Sequence, residues 1–261
     1  MRLYGLIGYP LAHSFSAKYF SEKFAKEGIA ATYRLCEITS PEDCKVIEQV
    51  RRLDGFNVTS PYKEAVIPYM DALNETAHDV GAVNVVKREG ERWIGYNTDC
   101  IGFQKDIQEF DDLPIGGVQA LVLGTGGAAK AVVCALRNLD IPYTMVSRTH
   151  DKKCPGTQAS PPAKMFDGKV VINYEALSKE MVEEHRLVIN CTPLGMGECQ
   201  NECPRIPYQW LSCRNFLYDC IYNPAETLFL QRGKAQGAHT RNGMGMLTHQ
   251  AEAAWKIWSK S

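Results

Sequence analysis

An α/β fold in two domains is predicted, on three observations. Short apolar runs alternate with helical patterns through almost the whole chain, the rhythm of parallel strands joined by helical crossovers. One of those runs leads directly into the glycine-rich stretch Gly124-Thr-Gly-Gly-Ala-Ala129. The 261 residues are enough for two modest domains, each with its own core.

Leu3 to Gly8 reads as the first strand. Ser14 to Lys26 follows as a helix, with Phe15, Tyr19, Phe20 and Phe24 at helical spacing. Thr32 to Ile38 is a second strand. Gly55 to Thr59 is a third, ended by Pro61 and expected to lead into a helix. Ala82 to Lys87 and Arg92 to Tyr96 read as paired strands turning at Glu89-Gly90. A second unit begins near residue 101. Gln119 to Leu123 is its buried strand, and Ala128, Ala131, Val132, Ala135, Leu136 and Leu139 then mark a helix face that can approach a sheet closely. Tyr143 to Val146 is the next strand. Pro155-Gly156 and Pro161-Pro162 forbid a long crossover helix, so residues 150–168 are expected to be a loop. Leu187 to Asn190 and Phe216 to Ile221 are later strands. A last helix from Met246 places Leu247, Ala251, Ala254, Trp255 and Trp258 on one face and is expected to return to the first domain. The expected boundaries are 1–100, 101–237 and 238–261.

A strand, then G-x-G-x-x-A, then a helix is the context of a Rossmann-type dinucleotide site. Gly124 permits the tight turn, Gly126 lets the backbone reach a pyrophosphate, and Ala129 keeps helix and sheet close. Gly127 and Ala128 open the helix, whose first N–H groups face the phosphates. A tight turn that binds nothing is the plain alternative. Cofactor choice is read at the end of the next strand, where an acid holds the ribose of NAD. Here the residues are Ser147-Arg148-Thr149, with no acid before Asp151. Arginine suits a 2′-phosphate, so NADP is expected.

The bulk numbers exclude several classes. A formal net charge of −1 gives no basic stripe for nucleic acid. No apolar run is long enough to span a bilayer, and glycine and proline break the first ten residues too early for a signal peptide. A cytoplasmic protein is expected. Cys36, Cys100, Cys134, Cys191 and Cys220 sit in or beside apolar runs, and Cys199 and Cys203 have no second pair at zinc spacing. The cysteines are therefore expected as unpaired thiols in a reducing compartment, with no metal.

Two polar stretches carry the chemistry. Gly55-Phe-Asn-Val-Thr-Ser-Pro-Tyr-Lys63 places an amide, a hydroxyl and an ammonium around one turn, and Gly95-Tyr-Asn-Thr-Asp99 places an amide, a hydroxyl and a carboxylate at another. Together with a dinucleotide loop they describe a donor-rich pocket for a polyol. These motifs continue with Gly8-Tyr-Pro-Leu-Ala-His-Ser-Phe-Ser16, Gly81-Ala-Val-Asn84, Asn190-Cys-Thr-Pro-Leu-Gly-Met196, Tyr218-Asp-Cys-Ile-Tyr-Asn-Pro224 and Asn242-Gly-Met-Gly-Met-Leu-Thr-His-Gln250. In this order, over nearly its whole length, the chain resembles the shikimate dehydrogenases. The resemblance implies NADPH-dependent, reversible reduction of 3-dehydroshikimate to shikimate, with a substrate domain before residue 100. It implies that Ser14 and Ser16 bind the substrate carboxylate with Tyr222 nearby, and that Thr59, Asn84 and Gln250 hold ring hydroxyls. It makes Lys63 and Asp99 the catalytic pair, and puts Thr192, Gly195, Met196, Gly243 and Met246 near the nicotinamide.

The residue chemistry agrees. Carbonyl reduction creates alkoxide character that must receive a proton, and a nearby ammonium stabilises that charge and supplies the proton. Lys63 is read as proton donor or electrostatic anchor, and Asp99 as its orienting partner and an acceptor for a substrate hydroxyl. Ser14 and Ser16 also suit the cap of the helix that follows. His13 and His249 are read as structural. Two other readings remain open: quinate or broader polyol specificity with NAD use, and a non-catalytic dinucleotide-binding regulator. The sequence leaves monomer and homodimer equally open.

Overall fold

The computed structural model describes residues 1–11, 14–46, 48–148, 168 and 170–260. It divides into two compact units, Met1–Ile101 with Gln250–Ser261, and Gly102–His249.

In chain order, the first unit contains β1 (Arg2–Gly8), α1 (Phe15–Lys26), β2 (Ala31–Glu37), α2 (Asp43–Val46), α3 (Glu48–Arg51), β3 (Gly55–Val58), β4 (Ala72–Leu73), α4 (Glu75–Val80), β5 (Val85–Glu89) and β6 (Arg92–Tyr96). Its six strands lie in the order β2-β1-β3-β5-β6-β4. β1 pairs in parallel with both β2 and β3, whereas β3–β5 and the hairpin β5–β6 are antiparallel. Successive residues of a strand face opposite sides, so Val85 and Val86 enter different cores. Val86 packs with Ile7, Val58, Val66, Val83 and Trp93. Val85 packs with Tyr4, Phe20, Phe24, Ala251, Ala254 and Trp258. The helix expected after β3 does not form. Residues beyond Thr59 make turns and one short 3-10 segment, Ile67–Tyr69, because Pro61 and Pro68 each remove a backbone donor.

The chain passes to the second unit within α5 (Asp99–Gln108). There follow β7 (Ala120–Leu123), α6 (Gly127–Asn138), β8 (Tyr143–Val146), β9 (Val171–Ile172), α7 (Lys179–Glu184), β10 (Leu187–Asn190), β11 (Phe216–Asp219), α8 (Leu228–Ala235), β12 (His239–Asn242) and α9 (Met244–Ser259). All five strand pairings of this sheet are parallel, in the order β12-β11-β10-β7-β8-β9. That is the doubly wound arrangement, with its switch point between β7 and β10. The boundary expected at 238 needs correction. β12 belongs to this second sheet, and only residues from Gln250 onward join the first unit. The sequence His239-Thr-Arg-Asn242 has no apolar residue to mark a strand. The expected loop at 150–168 lies, apart from Gly168, outside the described residues. No described helix is long and apolar enough to cross a membrane.

Candidate active site

In the first unit, two turns and one helix bring five polar side chains together. β3 ends as Thr59 donates its N–H to Ile7 O at 3.0 Å, and Tyr62 N–H then returns to Thr59 O at 3.0 Å. This tight turn presents Lys63, whose own carbonyl is fixed by Val83 N–H at 2.7 Å. Asp99 is the first residue of α5, where free N–H groups and the helix dipole favour a carboxylate. The Asn97 side chain caps the same turn, accepting from Cys100 N–H at 3.2 Å.

Lys63 Nζ donates to Asp99 Oδ2 at 2.7 Å. Asp99 Oδ1 accepts from Asn84 Nδ2 at 2.9 Å, and the same amide nitrogen lies 3.0 Å from Thr98 Oγ1 and 3.4 Å from Gln250 Oε1. Asn84 Oδ1 accepts from Thr98 N–H at 2.7 Å. Asn84, Thr98, Asp99 and Gln250 are buried, so each polar atom requires a partner, and the cluster supplies them reciprocally. Lys63 is half-buried. Among the described residues, Asp99 is the single hydrogen-bond partner of its Nζ. Two of the ammonium's three donors are left for a ligand.

Ser14 caps α1 by accepting from Ala17 N–H at 3.4 Å, which leaves its O–H available to donate. The Tyr33 phenol is hydrogen-bonded to Ser16 and donates to Asn57 Oδ1 at 2.7 Å, while Asn57 Nδ2 donates to Asn84 O at 3.2 Å. A polar chain therefore runs from Ser16 to Asn84. The Asn57 amide and Thr98 hydroxyl belong to the donor-rich pocket read from sequence, without individual roles, whereas Tyr33 does not. Asn57 and Thr98 stand inside the quoted motifs, but Tyr33 lies in a plain strand and carries no such signal. Tyr222 belongs to the second unit, and burial pushes its phenol above the ordinary value.

In the second unit, Gly124 follows β7 at φ +103°, a left-handed conformation that side chains resist. A Cβ there would also meet Thr192 Cγ2 at 3.1 Å and the Cys191 carbonyl at 3.3 Å. Gly126 is the N-cap of the twelve-residue α6 and makes no side-chain cap bond. Nothing lies within 4 Å of a Cβ built on Gly126 or Gly127. Open space thus faces a helix N-terminus with donors to spare, which fits a pyrophosphate. Ala128 is half-buried, and Ala129 is buried against the sheet. Ser147 donates its N–H to Ile172 O at 2.9 Å, leaving Arg148 exposed beyond β8. Thr149, expected beside it, lies outside the described residues, as does His13.

The segment after β10 lies on the other side of the switch point. Asn190 Oδ1 accepts from both Thr192 N–H, at 3.0 Å, and Thr192 Oγ1, at 2.6 Å. Asn190 Nδ2 donates to the fully buried Asp219 at 3.1 Å. Asp219 also accepts from Ile221 N–H and Thr227 Oγ1, at 3.0 and 2.6 Å. Burial still raises its pKa to about 6. Gly195 sits at φ +114° against Thr227 and Ile221, and Met196 is exposed. A Cβ on Gly243 would meet Cys220 O at 2.4 Å, so only glycine fits this entry to α9. Met246 is buried and donates its N–H to Asp106 at 2.9 Å. His249 is paired with Glu109 at 3.0 Å, a structural role. Asp106, Glu109 and His249 come close enough to hold a cation. The Arg241 guanidinium stands among them, 2.5 Å from Asp106 and 3.7 Å from Glu109, and answers their charge itself. The expectation of unpaired cysteines needs one correction. Among the described residues eight cysteines are thiols, but Cys199 is disulfide-bonded.

Comparison with known proteins gives a consistent result. A profile described as the shikimate dehydrogenase substrate binding domain matches residues 6–86. The NADP(+)-dependent shikimate dehydrogenase of Carboxydothermus hydrogenoformans is 36% identical over 263 residues, covering 99% of this chain and 91% of the relative. The crystal structure of shikimate dehydrogenase from Aquifex aeolicus superposes with a TM-score of 0.84 at 32% identity, covering 99% of this chain and 92% of that one. The shikimate 5-dehydrogenase of Thermus thermophilus, solved with NADP(H) and shikimate, gives 0.83 at 29% identity, with 99% and 94% covered.

Proposed function

The chain belongs to the shikimate dehydrogenase family, and on that premise we propose that Lys63 and Asp99 handle the proton in its reaction. The enzyme catalyses the reversible NADPH-dependent reduction of 3-dehydroshikimate to shikimate. The observation that carries the assignment is the Lys63–Asp99 pair at 2.7 Å with two ammonium donors still available.

Bound NADPH supplies the hydride. As the substrate carbonyl becomes an alcohol, its oxygen gains charge and needs one proton. Lys63 Nζ–H donates to that oxygen, stabilises the charge and releases the proton to it. Asp99 keeps the ammonium aimed through the 2.7 Å hydrogen bond. Asn84 donates to Asp99 and holds it in place, Gln250 Oε1 accepts from Asn84 and Thr98, and Thr59, Asn84 and Gln250 receive the ring hydroxyls. Ser14 and Ser16 donate to the substrate carboxylate. Gly124, Gly126, Gly127 and Ala128 would hold the pyrophosphate, and Ser147, Arg148 and Thr149 the 2′-phosphate. Thr192, Gly195, Met196, Gly243 and Met246 would border the nicotinamide. The eight free thiols among the described residues support a cytoplasmic enzyme.

The test is oxidation of shikimate and of quinate by the purified protein, each offered NADP or NAD. Turnover of shikimate with NADP well above the other three combinations is expected. Equal or faster turnover of quinate, or with NAD, would move the enzyme to a broader polyol specificity. Nucleotide binding with no turnover at all would refute the catalytic role.

A further inference from the structure

Two thiols outside the proposed machinery meet at the carboxyl end of the second sheet. Asn190 and Asp219 are register partners of the parallel strands β10 and β11, so Cys191 and Cys220 leave those strands side by side. Their sulfurs are 3.7 Å apart. Neighbouring strands are spaced about 4.7–4.9 Å, inside the roughly 4.4–6.8 Å range of Cα separations that a disulfide spans. The sulfurs need approach only to about 2.05 Å to be bonded. Both residues are partly exposed, unlike the buried Cys36, Cys44, Cys100 and Cys134.

We propose that Cys191 and Cys220 are a covalent modification site: an oxidisable dithiol that a peroxide closes into a disulfide, weakening NADP binding. One thiolate attacks a peroxide oxygen, the O–O bond breaks, and a sulfenic acid forms as the leaving hydroxide takes up a proton to become water. The second thiol attacks the sulfenic sulfur, the S–S bond forms, and its proton leaves with the departing hydroxyl as a second water. Two thiols lose two electrons and one hydrogen peroxide gains them.

The consequence for the nucleotide rests on the reading of Thr192 and Gly243 as cofactor neighbours. Cys191 immediately precedes Thr192, and its carbonyl lies 3.3 Å from the Cβ position of Gly124. The Cys220 carbonyl lies 2.4 Å from the Cβ position of Gly243. Cys191 N–H and Cys220 N–H are fixed to Leu123 O and Asn190 O at 2.9 and 3.0 Å. Drawing the sulfurs together therefore moves a packed segment that contacts the glycine turn after β7 and the turn into α9.

The full-length protein is treated with hydrogen peroxide, then alkylated and digested without reduction. A Cys191–Cys220 cross-linked peptide is expected, with the NADP dissociation constant raised about fivefold or more and restored by dithiothreitol. Cys191→Ser and Cys220→Ser should each retain NADP binding and resist the peroxide effect. No cross-linked peptide under conditions that oxidise other thiols would overturn the proposal, as would a cross-link that leaves NADP affinity unchanged. The peptide map on the wild-type protein does not depend on either variant folding. Direct NADP binding by the reduced protein is measured first; its absence would count against the functional reading, while the map would still decide whether the dithiol exists.

Discussion

Asp219 shows how a single buried group sets a pH dependence. It is fully buried at the end of β11, and burial raises its pKa from 3.8 to about 6 despite three hydrogen bonds that favour the carboxylate. A shift of that size corresponds to about 3 kcal/mol. Below about pH 4 the group is protonated in both folded and unfolded chains, and the relative stability is fully present. As pH rises through about 6, the folded state must ionise it in a dry site, and that stability is lost. Urea unfolding between pH 4 and 7 should show wild type losing stability relative to Asp219→Asn as pH rises; a pH-independent difference contradicts this. Arg148 makes the opposite case, an exposed cation beyond β8 whose proposed partner is the 2′-phosphate. Arg148→Ala should abolish NADP preference and leave NAD use little changed, and an unaltered NADP Michaelis constant would refute its role. The positions of Lys63, Asp99 and Arg148 at turns and element ends follow from their sequence neighbours, which define the turn each occupies. The roles of Asp219 and Tyr33 do not, since burial and hydrogen-bond partners come from other strands.

The helices and strands that hold the site were read most surely where apolar spacing was regular. The face of α9 was predicted from Ala251, Ala254 and Trp258, and these side chains are buried on the first unit. Trp258 stacks on Tyr4 with centroids 4.8 Å apart and donates Nε1–H to Val86 O at 2.9 Å. Gly55 makes room for it, since a Cβ there would lie 2.5 Å from Trp258 Nε1. Lys23 of α1 pairs with Glu252 at 2.9 Å, and Tyr19 hydrogen-bonds the same carboxylate, two residues from Gln250. Trp258→Ala should cost about 3–5 kcal/mol, read as a lowered unfolding midpoint. A loss under 1 kcal/mol would mean that α9 is not anchored there. Short elements escaped the reading for definite reasons. β12 has no apolar residue, and the segment after β3 has prolines where a helix had been expected.

At the scale of the whole molecule, each compact unit carries one of the two candidate sites. The mixed sheet of the first unit presents the Lys63–Asp99 cluster, and the parallel sheet of the second presents the glycine turn at its switch point. The two-domain α/β plan followed from the alternation of apolar runs and helical patterns. The boundary at residue 250 did not, because a single helix crosses it and leaves no break in periodicity. This separation predicts that substrate chemistry and nucleotide binding can be damaged independently. The most direct test is single-turnover reduction of 3-dehydroshikimate by NADPH, comparing wild type with Lys63→Ala at the nicotinamide absorbance. Hydride transfer should slow by roughly two to four orders of magnitude, with the NADPH dissociation constant unchanged. Transfer at the wild-type rate in Lys63→Ala would contradict the role assigned to this lysine.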